Sequence, residues 1–361
     1  MSGSSGGASG VVARLVRTQF FWGALVIVLL LALDLIRDPS YLSITYSPDA
    51  GGLVGNVIDI VKLSAPILMI SLGMVFVIAT AGIDLSVGSV MAVAGAIALQ
   101  SLYDAPDPNS FAAIASSVGM GLAAGLVVGL INAVLVSVVG LQPFVSTLVM
   151  MMAGRGLAKV ITGGQNTSVQ ASTGYHWIAN GYVLGLPVVF LIALAIIVVV
   201  AVVVRRTALG MMIESIGINP RASRMAGIQP RGLLITVYAL SGLLAAVAGI
   251  MATSTVNTID VAKTGYSMEM DAILAVVVGG TSLAGGKFSI SGTFVGGLLI
   301  ATLNKTVLFL GIPAEATPVF KATIIIAICL LQSSRIRALF QRRRSTPAAP
   351  VRSAQKEAVS A

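Results

Sequence analysis

Residues 184–204 run for about twenty positions without one charged side chain, and apolar runs of this kind recur along most of the chain. About 20 apolar residues, coiled as an α-helix, match the hydrocarbon thickness of a bilayer, and only helices or closed barrels satisfy their own backbone polar groups there. A barrel strand needs only about ten residues of alternating polarity, and barrels carry aromatic girdles. Here the runs are long and unbroken, and aromatic residues make up only 6% of the sequence. The chain therefore reads as an all-α polytopic membrane protein. Composition agrees: 10% of residues are charged and the mean hydropathy is +0.98, whereas ordinary soluble domains are about 25% charged.

Ten spans are expected, over residues 20–33, 57–80, 85–102, 111–139, 144–161, 184–204, 232–253, 271–283, 291–310 and 319–331. They leave no room for a soluble catalytic domain. The first follows Arg14 and Arg17 as a signal peptide would, but residues 33–37 offer no small-residue cleavage site, so it reads as an uncleaved span. The expected division is a Ser/Gly-rich, disordered cytoplasmic segment over 1–18, a transmembrane domain over 19–334, and a basic cytoplasmic tail over 335–361. The eighth run is too short to cross alone, and Gly279, Gly280, Gly285 and Gly286 interrupt or follow it, as in a half-helix.

Basic residues test this count, because they accumulate on the cytoplasmic side. Arg205, Arg206, Arg221, Arg224, Arg231, Lys287, Arg335, Arg337 and the run 342–344 all fall on one side. The other side holds Arg37 and Lys263, with the acids Asp104, Asp107, Asp260, Glu269 and Glu315. Both termini are then cytoplasmic. The net charge of +9 reports this asymmetry, and no nucleic-acid partner is expected. One cysteine, Cys329, excludes an internal disulfide and a cysteine metal cluster. The single His176, in a polar connection beside Trp177, reads as an interfacial residue rather than a proton relay.

Two glycine-rich breaks interrupt the helical pattern. GTSLAGGKF (280–288) looks like a phosphate-binding loop but fails it: Thr281 stands where a Walker A needs glycine, and Phe288 where it needs Ser or Thr. It reads instead as a glycine hinge. AGIDLSVG (81–88) aligns without gaps to GGTSLAGG (279–286), sharing glycine at Gly82, Gly88, Gly280 and Gly286 and leucine at Leu85 and Leu283. Breaks at membrane depth are tolerated only where protein or a water-filled cavity satisfies the freed backbone groups, so both are candidates for hinge or pathway. Asp84 either caps the following helix or binds a ligand.

Gly121, Gly125 and Gly129, spaced by four, form a packing face for close helix approach, and Asn132 follows on nearly the same face. Asn132, Gln142, Thr147 and Asn304 are uncharged path candidates suited to a neutral, hydroxyl-rich solute, or else interhelical hydrogen-bonding groups. Arg155 either faces the path, where it would hold an acid, or snorkels to an interface. Asp59, Lys62, Lys159, Lys305 and Lys321 are the other ionisable residues at depth, several near span ends. The third to sixth spans contain no carboxylate, which disfavours ion coupling.

The longest cytoplasmic connection, 205–231, sets Arg221 and Arg224 on one helical face and Ala222, Met225 and Ala226 on another, between Pro220 and Gly227. A short helix under the membrane, docking a cytoplasmic partner, is expected there.

Four segments in order, IATAGIDLSVGSVMAVAGA (78–96), QPFVSTLVMMMAGRGLAKVITGGQ (142–165), TALGMMIESIGINPRASRMAGI (207–228) and MDAILAVVVGGTSLAGGKFSISGTFVGGLLIATLNK (270–305), resemble the permease subunits of binding-protein-dependent ABC importers of the ribose/galactose/xylose group. The resemblance covers nearly the whole chain, and AGRGLAKVITGGQ and ALGMMIESIGIN are most similar to galactofuranose-type permeases. It implies a ten-helix permease with discontinuous helices, working beside a second permease, identical or homologous, in the bacterial inner membrane. It also implies an external sugar-binding protein and a cytoplasmic ABC ATPase that carries ATP and Mg, this chain binding no cofactor or metal and being no enzyme. Membrane lipids surround it. The family's ATPase-coupling segment carries over onto Glu214, Gly217, Asn219, Arg221 and Gly227, although Ser215 and Ile216 depart from the EAA pattern of other importers. The rival reading is an ion-coupled or facilitative secondary transporter of a small polar solute.

Overall fold

The computed structural model describes residues 19–313 and 315–332, so the expected leader and basic tail lie outside the described residues. Helices occupy each expected apolar run: α1 (Gln19–Arg37), α2 (Asn56–Ala79), α3 (Val87–Tyr103), α4 (Phe111–Val134, continued by a π-turn, Leu135–Val139), α5 (Pro143–Ile161), α6 (Thr173–Asn180), α7 (Val188–Arg206), α8 (Leu209–Ile218), α9 (Pro220–Met225), α10 (Pro230–Val256), α11 (Met268–Val278), α12 (Ile290–Phe309) and α13 (Thr317–Gln332). Among the described residues α2, α4, α5, α7, α10 and α12 are long and apolar enough to cross a membrane.

The bundle is built around α2, whose apolar window is 78% buried, with α10 and α12 packed on it. The windows of α5 and α7 are only 22% and 28% buried, so their apolar side chains face outward. Among apolar surroundings, helix association rests on close van der Waals packing, which small residues permit. Gly125 and Gly129 of α4 provide it, as expected: a Cβ at Gly125 would lie 2.7 Å from the Gly242 carbonyl on α10, and one at Gly129 would lie 3.1 Å from the Gly242 Cα. Gly121 approaches the Ala94 carbonyl of α3 in the same way.

Charged groups within the bundle pair across helices. Lys305 of α12 donates to Asp59 of α2 at 2.6 Å, and Lys321 of α13 bridges both oxygens of Asp271 at 2.9 Å. Each ammonium is held by a carboxylate, which offsets its desolvation locally. Thr306 donates to buried Asp34, tying α12 to α1. Lys62 lies 4.6 Å from the ring centre of Tyr182. At the end of the bundle formed by the connections after α5 and α10, Thr167 and Ser168 pair antiparallel with Ile259 and Thr258. There α6 is fixed by a 2.8 Å bond between Tyr175 Oη and Thr253 Oγ1, leaving His176 exposed.

Two helices start halfway through the bundle. Asp84 meets Ser241 near the middle of the 27-residue α10, and farther along, Met91 packs on Gly249 and Gly95 on Thr253, so α3 accompanies only one half of α10. After α10 the chain turns back inward through 257–267, and Gly265 reaches the backbone of Gly88 in the first turn of α3. From that level α11 runs on for only 11 residues, ending where Gly279 meets Gly292 near the start of α12. Glu269, expected in an outer connection, is instead buried with Asp271 in the first turn of α11, because the chain re-enters the bundle before that helix begins.

Candidate functional site: two helix breaks and the coupling segment

Between α2 and α3 the backbone leaves helical geometry, and Ala81 adopts φ +61°, a conformation uncommon without glycine. Protein groups fill the hydrogen-bonding needs of this stretch. Asp84, 2% exposed, accepts from the Ser86 amide at 3.0 Å, from the Ser86 hydroxyl at 2.6 Å and from Ser241 at 2.8 Å. Its carboxylate thus holds Ser86, the residue before α3, against α10. Asn132 donates to Ser86 Oγ at 2.8 Å, and Thr147 donates to the Ile83 carbonyl at 3.1 Å. Both side chains are fully buried. As path candidates they are displaced in this conformation: they brace the break and line no open surface.

The second break joins α11 to α12. Gly280, Gly285 and Gly286 have φ of +95°, +84° and +91°, where a side chain is strained. Gly279 differs from them, with φ −64°; what it requires is space, because its Cα faces the Gly292 backbone and a Cβ would lie 2.6 Å from the Gly292 carbonyl oxygen. The Ser289 hydroxyl accepts from the Gly292 amide at 3.0 Å and caps α12.

The two breaks meet each other and the connection between α7 and α10. The Gly286 amide donates to the Ala79 carbonyl at 2.9 Å. Gly217 of α8 lies against that same carbonyl and 2.5 Å, at its absent Cβ position, from the Gly286 nitrogen. A Cβ at Gly285 would stand 2.9 Å from the Ala81 nitrogen and 3.0 Å from the Gly217 carbonyl. This connection forms two helices rather than the single one expected. The break between them falls at Asn219, whose extended backbone and side-chain oxygen, accepting from the amides of Arg221 and Ala222 at 3.0 Å, start α9 at Pro220. Glu214 on α8 is half-buried, and Gly227 closes α9 at φ +84°. Arg221, Arg224 and Met225 line an open hollow of about 370 Å³, and Met225 is 91% exposed. An apolar knob among guanidinium groups is suited to docking a partner.

Arg155 neither snorkels nor stands free. Its Nη1 and Nη2 donate to the carbonyls of Thr264 and Gly265 at 2.6 Å, tying α5 to the re-entrant turn. Its neighbour Gly154 packs on Ser89, so α5 holds the starts of both half-helices. Gln142 is exposed at the start of α5, and Asn304 lies on α12 away from both breaks. Sequence reasoning missed Glu269 and Gly265. A pair of acids at 269 and 271 directly before a short apolar run was the available signal.

Residues 56–329 match the family described as branched-chain amino acid transport system / permease component. The chain is 49% identical over 331 residues to a fructose import permease protein of Bifidobacterium longum, covering 91% of each chain. It is 40% identical to a galactofuranose transporter permease protein of Escherichia coli, over 88% of this chain and 91% of the relative, and 36% identical to the ribose import permease protein of the same species, over 78% and 87%. No solved structure matches it. These relatives are transport subunits, not enzymes, and a permease of an ABC importer works with an ATPase and a binding protein. The chain belongs to this permease family and is the multi-pass membrane subunit of a monosaccharide importer.

Proposed function

We propose that this permease imports a neutral hexose by alternating access, with fructose first and galactofuranose second. The observation that carries the order is the 49% identity to the fructose permease, against 40% to the galactofuranose permease. In this reading the ten helical runs lie in the inner membrane of a bacterium, α3 and α11 as discontinuous helices, both termini are cytoplasmic, and a second permease, identical or homologous, completes the path among the surrounding lipids. ATP and Mg are bound by the partner ATPase. Its strokes reach the path through Glu214, Gly217, Asn219, Arg221 and Gly227, because Gly217 is packed on both helix breaks. The hinge or pathway elements are Asp84 and Gly88 in the first break and Gly279, Gly280, Gly285 and Gly286 in the second.

Competition decides the substrate class. In proteoliposomes holding the complete importer, unlabelled fructose and galactofuranose should suppress uptake of labelled fructose. Suppression by amino acids or sugar acids, with none by neutral monosaccharides, would refute the assignment.

A further inference from the structure

Glu269 is 8% exposed, and its Oε2 has no hydrogen-bond partner among the described residues, although it lies at the level where α3 and α11 begin. An ionised carboxylate oxygen removed from water without a donor is strongly unfavourable, so such a group in a transport protein marks a place a donor visits. Three neighbours give that place a chemical character. Arg155 spends one N–H of each terminal nitrogen on the Thr264 and Gly265 carbonyls and keeps donors to spare from the five of a guanidinium. Gly88 lets them meet: a Cβ there would strike the Gly265 carbonyl oxygen and Glu269 Oε2 and lie 3.4 Å from Arg155 Nη2, so both charged side chains close on the first turn of α3 in this conformation. Tyr266, beside Gly265, is 73% exposed and offers an aromatic face.

We propose that Arg155, Glu269 and Tyr266 form the station at which the sugar is held midway through the permease. This rests on the reading of the chain as a monosaccharide permease and deepens it. One positive and one negative group balance, so the station carries no net charge and favours a neutral solute over an anion. A sugar hydroxyl donates to the free oxygen of Glu269, the spare guanidinium donors bond a second hydroxyl, and the apolar face of the sugar ring lies on Tyr266. Discontinuous helices that begin at mid-membrane are where transporters place their substrates, in keeping with the starts of α3 and α11 here.

The test compares the complete importer, with its ATPase and binding protein, in proteoliposomes given labelled monosaccharides and their single-deoxy analogues. In the unaltered importer, one deoxy analogue should be taken up about tenfold more slowly than its parent, because it lacks the hydroxyl that Glu269 accepts. Glu269→Gln keeps the size of the side chain. It should slow uptake of the parent about tenfold and erase the difference between parent and that analogue. Tyr266→Leu should slow uptake, while Tyr266→Phe should not. A uniform slowing of parent and every analogue by Glu269→Gln, or unchanged uptake by both Glu269→Gln and Tyr266→Leu, would overturn the station and leave the permease reading intact. An unaltered importer that takes up no monosaccharide would overturn both.

Discussion

The amide of Gly286 donates to the carbonyl of Ala79 at 2.9 Å, joining the break after α11 to the last residue of α2, and Gly217 of α8 stands against both atoms. Three segments far apart in sequence therefore share one contact, and α8 cannot shift without disturbing both breaks. A side chain at Gly217 has no space there. Gly217→Val is expected to reduce ATP hydrolysis stimulated by the sugar-loaded binding protein at least tenfold in the assembled complex. Full stimulation in a complex that still assembles would place the coupling contact elsewhere.

Gly280 and Gly286 adopt positive φ, which costs an L-residue roughly 1–2 kcal/mol and a β-branched one more. Gly280→Val and Gly286→Val should lower uptake per inserted molecule severalfold more than they lower insertion. Gly140 is the control for this comparison: its φ is +83° but a Cβ there meets nothing within 4 Å, so Gly140→Ala should act only through local strain. Equal uptake by all three variants would show that the second break does not depend on its glycines.

Lys321 and Asp271 form an ion pair whose side chains are 18% and 9% exposed. Removing one partner strands the other. Lys321→Met should destabilise the permease by about 3–5 kcal/mol, read as a lowered unfolding temperature in detergent, and Lys321→Met with Asp271→Leu should recover most of the loss. A double variant no more stable than the single one would mean that the pair contributes through geometry rather than charge.

Topology is tested by thiol labelling in a Cys329→Ala background. Asp107 and Asn166 are exposed near one end of the bundle, and Met225 is exposed in the coupling segment. Ser223, though in the same segment, is 5% exposed and would label poorly from either side. Cysteines at 107 and 166 should react with an impermeant reagent from outside, and one at 225 only from inside. Labelling at 225 from outside would reverse the orientation.

Apolar run length made the helical bundle legible, since it follows from the cost of polar groups in hydrocarbon. The four-residue spacing of Gly121, Gly125 and Gly129 likewise announced a face of close helix approach, taken up by α3 at Gly121 and by α10 at Gly125 and Gly129. Depth was not legible. Glu269 precedes an apolar run just as an outer-loop acid would, and only the return of the chain through 257–267 carries it inside. Asn132 and Thr147 were ambiguous for a related reason: a neutral polar side chain in a helix bonds either a solute or a neighbouring helix, and the choice depends on the break at 80–86 lying beside them. Gly217 stood within a motif, but its contact with Ala79 and Gly286 joins positions that no local pattern relates.

Uptake of labelled fructose by proteoliposomes, with the permease alone and with its ATPase and binding protein, measures the central claim most directly. The complete set supplied with ATP should accumulate sugar against a gradient, while the permease alone, or the set without ATP, should not. Accumulation or rapid equilibration by the permease alone would identify a self-sufficient carrier and contradict a permease powered through Gly217 by a separate ATPase.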